Sequence, residues 1–199
     1  MLAQTTVSSD GSYAFERLRS GNYVIRFTLP QNVLFTDYTG NPGDSCVPAM
    51  QGSTGETNTF LLTMGEEKAD MNVGGILPGR LGDTVWYDKD GNGLQDYKEP
   101  LIPGVSLTLL YVHADGSMTE TATAVSDQYG YYAFDALRPG SYVLRLDAQP
   151  GDSLTACFGA PLGEIDSDID PETGLSAPIA LRSGQTLRNI DVGLTEHAN

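Results

Sequence analysis

Residues 130–145 read GYYAFDALRPGSYVLR, and residues 11–26 read GSYAFERLRSGNYVIR. The two stretches lie 119 residues apart and agree at ten of sixteen positions: Gly11, Tyr13, Ala14, Phe15, Leu18, Arg19, Gly21, Tyr23, Val24 and Arg26 all recur. The same offset pairs Gly65 with Gly184, and Val73-Gly74 with Val192-Gly193. Similarity at one fixed offset marks a duplicated structural unit. Within each copy, tyrosine, phenylalanine, leucine and valine alternate with smaller or polar residues between Gly and Pro turns, which is the period of β-strands.

Further strands follow in the second copy. Thr84–Tyr87 is a short aromatic strand, and Val105, Leu107, Leu109 and Tyr111 alternate with Ser106, Thr108 and Leu110 as a strand with one buried face. Ala114-Asp115-Gly116 reads as a hairpin turn into a strand over 118–125. Residues 131–134, 142–146, 175–181 and 187–194 supply the rest. Short strands at this spacing, without an amphipathic helix, predict an all-β, immunoglobulin-like sandwich. The alternating aromatic and aliphatic positions, with the single tryptophan Trp86, read as its core.

The duplication is incomplete. Residues 80–119 have no counterpart in the first copy, so residues 1–79 read as the C-terminal part of a truncated repeat and 80–199 as a complete one. Ile76 to Gly79 reads as a short connector. A half-sandwich is expected to expose strand edges and core unless another segment or chain covers them.

The 199 residues carry 26 acidic and 11 basic side chains, a net charge of −15. That excess repels nucleic acid and anionic membrane, and the three lysines, Lys68, Lys89 and Lys98, cannot form a basic patch. No apolar run approaches the roughly 20 residues of a membrane span, so membrane insertion is not expected. Met1-Leu2-Ala3-Gln4 is not a signal peptide, and any export signal or wall anchor is expected outside this chain. Cys46 and Cys157 allow one disulfide or two free thiols.

The strongest chemical motif is the run Asp88-Lys-Asp90-Gly-Asn92-Gly93-Leu94-Gln-Asp96-Tyr-Lys-Glu99, which satisfies D-x-[DN]-x-[DN]-G-x₅-E throughout. Ca²⁺ takes six to eight hard oxygens, and alternate residues of a tightly wound loop point theirs inward. Asp88, Asp90 and Asn92 would supply side-chain oxygens, Leu94 its carbonyl, Asp96 an oxygen directly or through water, and Glu99 both carboxylate oxygens. The flanks exclude a helix–loop–helix hand: a strand precedes the loop, while Pro100 and Pro103-Gly104 follow it. A second acidic cluster runs from Glu164 through Asp166, Asp168 and Asp170 to Glu172. Asp166 and Asp168 make it a second candidate cation site, with Asp191 as a further donor; a merely solvated acidic loop is the alternative.

Catalysis finds no support. Neither His113 nor His197 has an adjacent nucleophile, and no phosphate loop, CxxC or HExxH motif is present.

Together, GRLGDTVWYDKDGNGLQDYKEPLIPGVSLTLL, GYYAFDALRPGSYVLRL, the Asp166-Ser-Asp168 loop and the closing Asp191-Val-Gly193-Leu194 resemble the B repeats of serine-aspartate repeat surface adhesins of Gram-positive bacteria. These belong to the wider collagen-adhesin B-type, prealbumin-like group. The resemblance covers 80–194 entirely and, in its second half, 5–75. It implies a seven-stranded sandwich that binds Ca²⁺ and stacks with neighbouring repeats as a semi-rigid stalk on the bacterial cell surface or cell wall. Host protein or glycan would then be met through other domains. It also implies that Asp88, Asp90, Asn92, Leu94, Asp96 and Glu99 form the main calcium site. A host-protein or glycan binding module and a pilus-type assembly subunit are the competing readings.

Collagen-adhesin relatives often carry a Lys–Asn isopeptide crosslink, whose lysine would fall on the strand that here reads DTVWY. No lysine stands there, so no crosslink is expected. An intact mass equal to the sequence mass is the expected result; a deficit of one ammonia would contradict it.

Overall fold

The computed structural model describes residues 2–38, 45–147, 153–157 and 165–195. The chain divides into two compact units, Met1–Gly75 and Ile76–Asn199, and the described residues contain no helix. The first unit carries β1 (Gly21–Tyr23), β2 (Arg26–Thr28), β3 (Leu34–Phe35), β4 (Ala49–Gln51), β5 (Thr54–Glu56) and β6 (Phe60–Leu62), with β7 (Gly75–Ile76) at the junction. The second carries β8 (Gly79–Asp88), β9 (Ser106–Val112), β10 (Met118–Val125), β11 (Tyr131–Leu137), β12 (Gly140–Leu146), β13 (Ser153–Leu154), β14 (Ile179–Leu181), β15 (Thr186–Leu187) and β16 (Val192–Thr195).

The second unit is a β-sandwich. One sheet runs β10-β9-β12-β14 and the other β11-β8-β16-β13, with β15 also on β8. Strands β15 and β16 run parallel to β8. Leu81, Leu107, Leu109, Leu144, Ile190 and Val192, all fully buried, meet between the sheets. Burying each such side chain stabilises by about 1.5–3 kcal/mol before chain entropy is charged against it.

Residues 76–79, read from sequence as a connector, fall in the second unit. Gly79 opens β8, and Leu77 donates its N–H to Ser183 Oγ at 2.9 Å while its carbonyl accepts the Gly184 N–H at 2.9 Å. β10 has the expected bounds, and the hairpin turn closes with His113 N–H on the Ser117 carbonyl at 2.8 Å.

Three expectations shift. β9 is buried on both faces, because it lies centrally between β10 and β12. Leu110 sits opposite Val143, and the Thr108 hydroxyl donates to Asp147 Oδ2 at 2.7 Å. The strand read over 175–181 regularises only from Ile179, with Leu175 and Ser176 forming single bridges to Arg145 and Ile169. The strand read over 187–194 breaks into β15 and β16. The break turns Asp191 inward to take the N–H and hydroxyl of Thr84 at 2.9 and 2.7 Å.

The first unit repeats the closing half of the second bond for bond. Gly21, Asn22 and Tyr23 pair with Leu62, Leu61 and Phe60, as Gly140, Ser141 and Tyr142 pair with Leu181, Ala180 and Ile179. The Tyr23 hydroxyl donates to the Arg19 carbonyl as Tyr142 does to Arg138, and Tyr13 donates to Met71 as Tyr132 does to Ile190. Its core is smaller, centred on Phe27, Phe35 and Val47. Tyr23 and Ile25 are only half-buried where Tyr142 and Leu144 are fully so. The bonds are inherited, but the covering strands are not.

Candidate metal centre

β8 ends at Asp88, and the chain then winds through 89–99 and returns to β8's own end. Tyr87 N–H reaches the Pro100 carbonyl at 2.9 Å and Ile102 N–H the Val85 carbonyl at 2.8 Å. The loop is therefore clamped at both ends by a strand buried in the core. Gly91 and Gly93, at φ 71° and 81°, make the tight turns that an L side chain would resist.

Asp88 is buried at 1 % exposure. It accepts the N–H groups of Gly91 and Gly93, each at 2.7 Å, and the hydroxyl of Thr155. Burial pushes its pKa up, but the bonds from Thr155, Gly93, Gly91 and Asn92 outweigh this and leave it below the ordinary value. Carboxylate oxygens of Asp88, Asp90 and Glu99 all lie within 4.8 Å of one another. Glu99 closes the loop with both oxygens, taking Lys89 N–H at 2.7 Å and Asp96 N–H at 3.0 Å. Asn92 Nδ2 donates to Asp90 Oδ2 at 3.2 Å and Asp96 Oδ2 at 2.8 Å, and its own Oδ1 accepts Leu94 N–H at 2.7 Å. Asp96 thus stands one hydrogen bond away from the three-carboxylate group.

The second acidic loop lies against the first. Leu94 bridges Asp166, Gln95 N–H reaches the Ile165 carbonyl at 2.6 Å, and Ser167 N–H reaches Gly93 at 3.3 Å. Asp166 is buried at 4 %, with Oδ1 lacking any hydrogen-bond partner. Asp168 is joined to Asp191: its Oδ2 accepts Asp191 N–H at 2.8 Å, and its N–H reaches the Asp191 carbonyl at 2.9 Å. Asp170 accepts Glu172 N–H at 2.7 Å in a local turn, and Glu164 lies outside the described residues.

Burial pushes Asp168 up to about 7 against the Asp191 N–H bond, with the Asp191 and Asp166 charges adding to the rise. Burial likewise lifts Asp191 to about 6 against two bonds from Thr84, with Asp83 and Asp166 adding. Both carboxyls hold protons more tightly folded than unfolded. Metal-free stability therefore falls as pH rises from about 4 through about 7, by an amount on the order of a few kcal/mol. Urea midpoints in EGTA are expected to be higher at pH 5 than at pH 8.

Thr155 was not legible as part of this site, because it lies in the stretch where the copies diverge. One signal was available: Thr36 and Thr155 stand 119 apart, opposite Gly74 and Gly193. The bare Gly193 Cα admits the Thr155 methyl and the Trp86 ring, which sets the Thr155 hydroxyl against Asp88.

The SdrD B-like domain model matches this sequence twice, over residues 1–75 and 79–194. The chain belongs to the SdrD B-like domain family. Colossin-B of Dictyostelium discoideum is 32% identical over 221 residues, covering 96% of this chain and 6% of that protein. Serine-aspartate repeat-containing protein F of Staphylococcus epidermidis is 30% identical over 175 residues, covering 87% and 10%. Serine-aspartate repeat-containing protein D of Staphylococcus aureus strain Newman is 29% identical over 177 residues, covering 88% and 13%. The chain thus spans only a small part of each relative, and SdrD B-like sequence extends beyond Gram-positive bacteria. Among solved structures, the minor pilin GBS52 of Streptococcus agalactiae gives a TM-score of 0.39 at 14% identity, covering 97% of this chain and 67% of that one.

Proposed function

We propose that this SdrD B-like chain is a non-enzymatic structural spacer of a cell-surface protein, its complete repeat stiffened by Ca²⁺. The carrying observation is the convergence of Asp88, Asp90 and Glu99 oxygens where a core strand enters a clamped loop. The donors are hard oxygens, as Ca²⁺ requires, and the orphaned Asp166 Oδ1 offers another on the adjoining loop. Asp88, Asp90, Asn92, the Leu94 carbonyl, Asp96 and Glu99 would hold the main ion, and Asp166 with Asp168 a second. The ion's chemistry is charge neutralisation: it would relieve repulsion among the carboxylates and pin 88–99 to 165–168. A spacer also suits the tryptophan, since Trp86 is fully buried and offers no sugar-stacking face. Neighbouring repeats on a cell surface or cell wall are the partners this role implies.

Calcium titration calorimetry is the test. Wild type is expected to bind, Asp90→Ala and Glu99→Ala to lose the tightest site, and Asp166→Asn to keep it. A wild type that takes up no Ca²⁺ would remove the calcium reading.

A further inference from the structure

The complete repeat shows what is missing from the first unit. In the second unit, β8 covers one edge of β11, with Leu81 opposite Phe134 and Gly82 opposite Ala133. β9 covers one edge of β12, with Leu110 opposite Val143 and Leu109 opposite Leu144. Subtracting 119 places the same two edges on 12–18 and 21–27 of the first unit. Among the described residues no strand pairs with 12–18. The 21–27 edge pairs only on its other side, with β6 and β5.

Exposure follows the loss. Val143 is 5 % exposed and Val24 47 %. Tyr13, Phe15, Tyr23 and Ile25 are half-buried at positions whose counterparts are core. Charge points the same way: Arg80 of β8 meets Asp135 at 3.1 Å, and Glu16 holds the Asp135 position in the first unit.

We propose that the first unit is a strand acceptor, and that its occupant is the opening half of a B-type repeat carried by a partner polypeptide. The donor's chemistry can be read from β8 and β9. It needs apolar residues at the Leu81, Leu107 and Leu109 positions and an arginine at the Arg80 position to face Glu16. Glycine is required at the Gly82 position, because a side chain there would strike the backbone of the facing strand, as it would at Tyr132 and Ala133. A second copy of this chain is a poor donor. Its own β8 and β9 are committed, with Leu81 and Leu107 fully buried, so lending them would unfold its second unit. Main-chain pairing supplies affinity in such strand addition, and the alternate side chains supply selectivity.

The test adds a synthetic peptide with the sequence of residues 78–112 to the full chain in EGTA, which separates it from the calcium reading. Hydrogen exchange and light scattering are read together. A one-to-one complex is expected, with amides of 12–27 exchanging at least about tenfold more slowly. A Gly82→Val peptide should give no protection. An Arg80→Glu peptide should bind about two- to fivefold more weakly, and Glu16→Arg in the chain should restore it. Three outcomes would overturn the proposal: no added protection with peptide, full protection of 12–27 in the chain alone, or a concentration-dependent dimer protecting 12–27 without peptide. The last would identify a second copy as the occupant.

Discussion

Saturating Ca²⁺ is expected to raise the melting temperature of the second unit by roughly 10 °C or more over the same protein in EGTA. An ion that binds only the folded state at about 100 times Kd adds about 2.7 kcal/mol. For a unit of this size, 1 kcal/mol moves the midpoint by a few degrees. The gain should concentrate in 88–102 and 165–168, because those segments are joined by Leu94–Asp166, Gln95–Ile165 and Ser167–Gly93. Asp90→Ala should remove most of the shift while leaving the EGTA midpoint nearly unchanged, since Asp90 is exposed and outside the core. Differential scanning calorimetry with both proteins, in Ca²⁺ and in EGTA, measures this. Equal midpoints for wild type in the two conditions would contradict the stiffening role.

Trp86→Ala is expected to be the most damaging single core substitution, costing about 3–5 kcal/mol. Trp86 is fully buried, bridges Leu101 at the return of the acidic loop, and packs against the bare Cα of Gly193. Alanine would leave a cavity beneath Thr155 and loosen the contact that sets its hydroxyl on Asp88. The variant should therefore lose Ca²⁺ affinity as well as stability. Urea midpoints followed by circular dichroism measure the first effect and calcium titration the second. A cost below about 1 kcal/mol would show that the site tolerates collapse.

The comparison of Leu187–Leu194 with Met118–Val125 shows where sequence reading reaches. The latter is a hairpin strand bounded by local turn chemistry, and its ends were legible to the residue. The former is interrupted by Asp191, whose reason for turning inward lies on β8, at Thr84. Likewise the alternation around Leu107 and Leu109 identified a strand. It could not tell that β10 and β12 would flank it and bury Leu110 too.

The sequence by itself determined the repeat, the strand class and the acidic loop, because each is written in residues close together or at one fixed offset. A twelve-residue loop carries its own donors and glycines, so Asp88 to Glu99 could be named from spacing alone. Tertiary structure decided which carboxylates are exposed to water and which are not. Asp166, Asp168 and Asp191 come from segments that share no local pattern with 88–99, and only the pairing of β16 beside β8 brings them to that end of the sandwich. Burial there, set by the fold and not by composition, raises the pKa values of Asp168 and Asp191.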